Sequence, residues 1–336
     1  MTVTIKDIAK QAGVSITTVS RIINNKAEGI RKETCEKVLK VVEELHYKPN
    51  SIARSMITKK TYTIGLVIPD IRNPFFPELV RGVEDVANAA QYTVFLCNTD
   101  SSHRKETDYL AIMKEKNVDG IIFTGPQELQ SKDFYQSVQE YEIPIILLDR
   151  GQEIEDFSGV YIDNVQAGYM ATKHLLELSH QNIGCITGPA AIPNSNERYK
   201  GYLKAFSEFQ IPVDESIVIP GNYQMEGGYV AAKALLKERD VTAIFAFNDL
   251  MAFGVYQAAY ELGIKIPEDL SVVGFDNLPF NQLIRPKLTT IEQSAYKMGE
   301  IAAKMLFDQI NNEKSVKEQV FIEPTLIING STKEHA

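Results

Sequence analysis

The sequence predicts an α/β protein with a small all-α head and a larger body of two lobes, each a doubly wound parallel sheet. Three observations lead there. First, charge is unevenly spread along the 336 residues. Residues 1–60 hold 12 basic and 6 acidic side chains, net +6, and the remainder holds 23 basic and 38 acidic ones, net −15. Second, the apolar runs IGLVIP (64–69), TVFLCN (93–98), DGIIFTG (119–125) and PIILLD (144–149) are followed by IGCITGP (183–189), SIVIPGN (216–222), TAIFAFN (242–248) and SVVGFD (271–276). Matching runs are offset by 119, 123, 123 and 127 residues, so one architecture is written twice. Third, these runs are continuously apolar rather than alternating, as strands covered on both faces require.

The head comes first. Thr4 caps a helix over IKDIAKQA, and Asp7 at its third position completes a capping-box start. Ile5, Ile8, Ala9 and Ala12 recur at helical spacing, and Gly13 ends the helix by taking a left-handed conformation. Ser15 or Thr17 caps a second helix, SITTVSRIIN, whose inward face is Val19, Ile22 and Ile23. A third helix, about Lys32 to Leu45, buries Val38, Leu39, Val42 and Leu45. Two short helices around a glycine turn, a third helix and a basic balance read as a helix-turn-helix for DNA. The second helix would enter the major groove with Ile16, Thr17, Ser20 and Arg21 outward. Arg21 suits guanine O6 and N7, and Ile16 suits a thymine methyl. Thr17, Asn24 and Asn25 are expected at phosphates or base edges. Thr4, Ser15 and Thr18 complete the candidate contacts of the head.

TIKDIAKQAGVSITTVSRIIN, followed by YKPNSIARSM, resembles the start of the lac repressor family, and the resemblance continues to the end of the chain. It implies a head over 1–49 and a hinge helix and linker over 50–61. It further implies a body like the periplasmic sugar-binding proteins, with three crossings between lobes. Lobe N would comprise 62–162 plus 292–320, and lobe C 163–291 plus 321–332. In the family the hinge, here about Ser51 to Lys59, folds on operator DNA and enters the minor groove. Met56 stands where the family inserts a leucine, and methionine still serves as an apolar wedge between base steps. Asn50, Ala53 and Arg54 lie beside it, and Pro49 marks the helix start.

Doubly wound lobes bind ligands at the carboxyl ends of their strands. Asn73, Phe75 and Phe76 follow the first strand, Asp100, Ser101 and Ser102 the second, and Asp149 and Arg150 the fourth. The second lobe offers Arg198, Tyr223, Asn248 with Asp249, and Asp276 with Asn277, while Gln293 lies in the crossing segment TTIEQ. Aromatic faces sandwich the C–H surface of a sugar ring, and carboxylates, amides and arginines meet its hydroxyls. Asp149 with Arg150, and Arg198 with Asp276, are expected to neutralise one another. NPFF, the DR pair, Arg198, Asn248, Asp276 and Gln293 resemble the ribose repressors most. The implied effector is ribose, acting as an inducer. The DR pair departs from purine repressors, where an aromatic follows the aspartate at 149, and from the catabolite-control subfamily.

Other function classes find little support. GxGxxG, GxxxxGK[ST], HExxH and GxSxG are all absent, so no catalysis and no cofactor are expected. The five histidines and three cysteines lack metal-ligand spacing, so no metal is expected. No apolar run spans a membrane and MTVTIKDIAK lacks an apolar signal core, which places the protein in the cytoplasm. The expected partners are pseudo-palindromic operator DNA, a small sugar and a second copy in a homodimer. STKEHA closes the chain without a heptad tail, so lac-type tetramers are not expected. Two alternatives stay open. One is a catabolite-control-type regulator working with a phosphocarrier protein, and the other is a sugar receptor without a DNA role.

Overall fold

A computed structural model describes residues 3–24, 26–47, 55, 59–125, 143–152, 154–238, 240–312 and 316–335. The chain divides into two compact units, Met1–Thr61 and Tyr62–Ala336.

The first unit holds α1 (Ile5–Ala12), α2 (Ile16–Ile23) and α3 (Lys32–Glu44). The α1 start is held by Asp7, whose carboxylate accepts from Thr4 N at 2.9 Å and Thr4 Oγ1 at 2.7 Å. Gly13 takes φ +67° and turns the chain, as a residue without Cβ can at little steric cost. Ser15 rather than Thr17 caps α2, accepting from Thr18 N at 3.1 Å. The core gathers Ile8, Ala9, Ala12, Val19, Ile22, Val38 and Val41. On α3 the buried face runs through Val38 and Val41, with Leu39 turned out at 51% exposure. The expectation for Leu39 is thus corrected: both α1 and α2 pack on α3 and set its rotation.

The second unit contains two six-stranded sheets. One comprises β1 (Thr63–Ile68), β2 (Thr93–Asn98), β3 (Gly120–Phe123), β4 (Ile145–Leu148), β5 (Ser158–Ile162) and β11 (Gln319–Ile322), in the order β11-β5-β4-β3-β1-β2. The other comprises β6 (Ile183–Thr187), β7 (Val218–Pro220), β8 (Ala243–Ala246), β9 (Ser271–Asp276), β10 (Thr289–Glu292) and β12 (Thr325–Ile327), in the order β12-β10-β9-β8-β6-β7. The first five strands of each sheet therefore follow one pattern, which is the repeat expected from the offsets. All pairings are parallel except β10 with β12. The central strands β3, β4, β8 and β9 are buried along their whole length, in keeping with helices on both faces.

The helices are α4 (Phe75–Ala89), α5 (His103–Glu115), α6 (Asn164–Glu177), α7 (Pro193–Glu208), α8 (Met225–Glu238), α9 (Asp249–Leu262) and α10 (Ala295–Asn311). Three pairs cross where glycine faces glycine: Gly82 with Gly299, Gly168 with Gly201, and Gly228 with Gly254. A Cβ at any of the six would lie 2.1–2.2 Å from a carbonyl oxygen of the partner helix. These backbones approach more closely than any other residue permits.

The chain crosses between sheets at Asp163, at Gln293–Ser294 and at Glu323–Pro324. Two expected boundaries shift. Glu292 belongs to lobe C because it pairs with Asp276 of β9, and 321–322 belong to lobe N because β11 pairs with β5 through Ile322. Both swapped end strands are short, and long-range pairing alone fixes them.

Candidate functional site

The carboxyl ends of the strands of both lobes face a shared cavity of about 160 Å³. Asn73, Phe75, Phe76, Ser101, Asp149, Arg150, Arg198, Tyr223, Asn248, Asp276 and Gln293 all line it. Of the other strand-end candidates, Asp100 instead binds Lys105 and Asn98, and Asn277 donates to Glu292 at 2.5 Å. Pro69, Asp70, Pro189, Ile192, Asn194, Asn222 and Gln224 also line the cavity and escaped the sequence reading. The repeat itself would have found two of them, since Pro69 and Pro189 close equivalent strands.

The repeat extends to backbone conformation. After β2 and β7, Ser101 and Tyr223 take φ +55° and +62°; at the ends of β4 and β9, Asp149 and Asp276 take φ +67° and +114°. Non-glycine residues rarely occupy this region, and such strain persists only where the surroundings over-determine it. Here it turns four side chains toward one space.

The charged groups are individually held. Arg198, 4% exposed, donates from Nε to Asn164 Oδ1 at 2.9 Å and from a terminal nitrogen to the Phe247 carbonyl at 2.5 Å. Its guanidinium lies 3.5 Å from the centre of the Phe275 ring. The expected Arg198–Asp276 pair is therefore corrected: these donors go elsewhere and the arginine acts on Asp276 through space. Arg150 Nε stands 3.5 Å from Asp149 Oδ2, while Asp149 Oδ1 accepts from Asn194 Nδ2 at 3.0 Å. Gln293 Nε2 donates to Asp276 Oδ1. Asn248 caps α9, accepting from Met251 N at 2.9 Å and donating to the Tyr223 carbonyl at 3.0 Å. Burial pushes Asp276 well above the usual carboxylate range, against the pull of Arg198.

Four buried atoms of lining residues make no hydrogen bond in the protein: Arg150 Nε, Tyr223 Oη, Asp276 Oδ2 and Gln293 Oε1. The first donates, the last accepts, and the hydroxyl can do either. Such groups are costly to bury unsatisfied, and the hydroxyls of a small polyol, each donor and acceptor, suit all four. Phe75 and Phe76 stand edge to face with centroids 5.1 Å apart on one helix start. They form one apolar wall, not two sides of a sandwich, because neighbours on one turn cannot face each other. Direct bonds already bridge the lobes: Asn194 to Asp149, Gln224 Nε2 to Asp70 Oδ2 at 3.0 Å, and Gln152 to Glu197.

Behind the cavity lies Asp249, 0% exposed, whose carboxyl burial pushes up to about 7 despite its hydrogen bonds. A folded pKa above the unfolded one means this group contributes stability at low pH that is lost as pH rises through about 7. Raising pH from 6.5 to 8.5 should therefore cost the body about 1 kcal/mol through this group. Thermal unfolding of the wild type and Asp249→Asn across that range checks it. Parallel curves for the two would disprove the titration.

In the head, α2 presents Ile16, 45% exposed, with Thr17 and Arg21 also exposed and Ser20 half-buried. No acidic residue occupies its first turn, so the positive helix end remains available to phosphate. Several candidates already have internal bonds. Thr4 holds Asp7, Ser15 and Thr18 bond each other at 2.9 Å, and Asn24 donates to the Ser20 carbonyl at 2.8 Å. Arg21 donates to the Lys26 carbonyl at 3.2 Å and the Glu28 carbonyl at 2.6 Å, so in this conformation it clasps its own turn. Asn25, Pro49, Asn50, Ala53, Arg54 and Met56 lie outside the described residues. Among the described residues no group of histidine, cysteine and carboxylate could hold a metal, and no helix is long and apolar enough to cross a membrane.

Comparison with known proteins agrees with both units. Residues 4–50 match the family described as bacterial regulatory proteins, lacI family, and residues 61–330 match periplasmic binding proteins and sugar binding domain of LacI family. The chain is 40% identical over 333 residues to the HTH-type transcriptional regulator DegA of Bacillus subtilis, covering 99% of this chain and 98% of the relative. It is 39% identical over 331 residues to the ribose operon repressor of Halalkalibacterium halodurans, covering 98% and 97%. A LacI family regulator of Enterococcus faecium with bound ribose superposes with a TM-score of 0.75 at 34% identity, over 82% of this chain and all of that one. The lac repressor dimer bound to operator and an anti-inducer superposes at 0.90 with 26% identity, over 99% and 100%. These relatives are transcriptional regulators, not enzymes. A helix-turn-helix head joined to a two-lobed sugar-binding body, matched along nearly its whole length, makes this chain a member of the lacI family of bacterial transcriptional regulators.

Proposed function

We propose that the protein is a dimeric repressor of a sugar-utilisation operon, released from its operator by ribose bound between the lobes. The observation that carries the effector reading is the cavity between the lobes with Arg150 Nε, Tyr223 Oη, Asp276 Oδ2 and Gln293 Oε1 buried around it without hydrogen bonds. The ribose repressor relative and the ribose-bound structural neighbour favour a pentose among monosaccharides. Two heads on one dimer suit two half-sites about one helical turn apart. Ile16, Thr17 and Arg21 on the exposed face of α2 are the proposed readers of base edges, and Met56 of the hinge the proposed wedge. The effector shifts lobe orientation only by its differential affinity for the two states, typically about 1–3 kcal/mol.

Calorimetry against D-ribose, D-xylose, D-glucose and hypoxanthine tests the effector. DNA selected from a random pool supplies the operator for anisotropy titrations. Ribose should bind in preference and weaken operator binding about 5–150-fold. Arg21→Ala should lose about 1–3 kcal/mol on the selected site and relax its sequence choice, since the free arginine need only exchange carbonyl partners for guanine. Heat from hypoxanthine but no sugar would overturn the effector, and no recovered palindrome would overturn the DNA role.

A further inference from the structure

The cavity residues are braced from behind by a carboxylate that does not line it. Asp249 opens α9, and each of its oxygens is engaged. Oδ1 accepts from Thr290 Oγ1 at 2.6 Å, and Oδ2 accepts from Leu278 N at 2.8 Å and Asn281 Nδ2 at 2.9 Å. The donors belong to the loop after β9, the short 3₁₀ turn Pro279–Gln282 and β10.

One of these donors closes the strained pair. Asp276 at φ +114° and Asn277 at φ +54° run directly into Leu278, whose amide is tied to Asp249. Thr290 Oγ1 in turn accepts from Asn277 N at 3.3 Å. Three residues beyond Thr290 stands Gln293, the donor to Asp276. The Phe275 ring carries the guanidinium of Arg198. Gly274 in the strand interior completes the arrangement, because a Cβ there would lie 2.3 Å from Asp249 Oδ1. A carboxylate at a helix start can also act merely on the helix dipole, but then nothing would require bonds to three other segments.

We propose that Asp249 is the positioning residue of the effector cleft, fixing the backbone that leaves Asp276 and the strand that leads to Gln293. The sugar reading of the cleft underlies this, and the two can fail separately. The test uses the full chain, with Asp249→Asn and the gentler Thr290→Val, followed by hydrogen–deuterium exchange and D-ribose calorimetry. In Asp249→Asn, exchange should rise about tenfold or more over 275–281 while α6 and α7 stay at wild-type rates. D-ribose affinity should weaken about 10–100-fold. Thr290→Val should move both readouts the same way by less, and adding it to Asp249→Asn should change little, because the two act as one unit. Unchanged exchange and affinity, or exchange raised evenly over the lobe, would overturn the positioning role. A wild type that binds none of the sugars defeats the sugar reading alone, and the exchange pattern over 275–281 then decides for or against Asp249.

Discussion

Arg198→Ala should abolish the sugar response and leave operator binding intact. The side chain is almost wholly buried, spends two donors on Asn164 and Phe247, and holds its guanidinium 3.5 Å over the Phe275 ring. Its removal orphans two buried acceptors and takes away the positive charge that offsets Asp276 in the same cavity. Truncating one partner of a buried hydrogen-bonded charge pair at a binding site typically costs about 2–5 kcal/mol of affinity, roughly 30-fold or more. Lysine should not rescue it, because an ammonium offers neither the planar fork nor the guanidinium that lies over Phe275. Calorimetry with D-ribose gives the affinity, and anisotropy without sugar gives operator binding. Wild-type ribose affinity in this variant would remove the cleft from the mechanism.

The site was more legible in the sequence than the fold around it. Parallel strands buried on both faces leave continuous apolar runs, and the residue after such a run stands at the ligand edge of the sheet. That rule alone brings Asp149, Asn248 and Asp276 to one cavity. It fails for β5, β10, β11 and β12, which are short, mixed in polarity and fixed by pairings made across the chain. It also fails for Asn194, Asn222 and Gln224, whose amides are ordinary until the opposing lobe arrives. Left-handed backbone at Ser101, Asp149, Tyr223 and Asp276 leaves no mark on residue type. Leu39 shows a third limit, since an amphipathic pattern sets a helical period while the packing partners set its phase. The bonds of Arg21 show a fourth, because a long side chain suited to guanine equally suits carbonyls of its own turn.

Val19→Asp should do the reverse of Arg198→Ala, removing operator binding while leaving ribose affinity unchanged. Val19 is 0% exposed on the inward face of α2, among Ile8, Ala12, Ile22, Val38 and Val41. A core of this size supplies only about 3–5 kcal/mol of net stability. An unpaired carboxylate buried in it costs several kcal/mol, the whole of that margin. The head then unfolds and α2 ceases to exist as a surface. The body keeps its own cores, built on the two sheets, and its cavity is lined entirely from within the second unit. Anisotropy on the selected operator should show only weak, salt-sensitive binding of the kind any basic chain gives, while calorimetry returns the wild-type sugar constant. Sequence-specific binding by Val19→Asp would mean that the head tolerates a core charge and is not the reader. Loss of ribose binding would mean that the cleft needs a folded head. With both variants behaving as expected, reading and sensing are separable in binding, and only their coupling requires the segment that joins them.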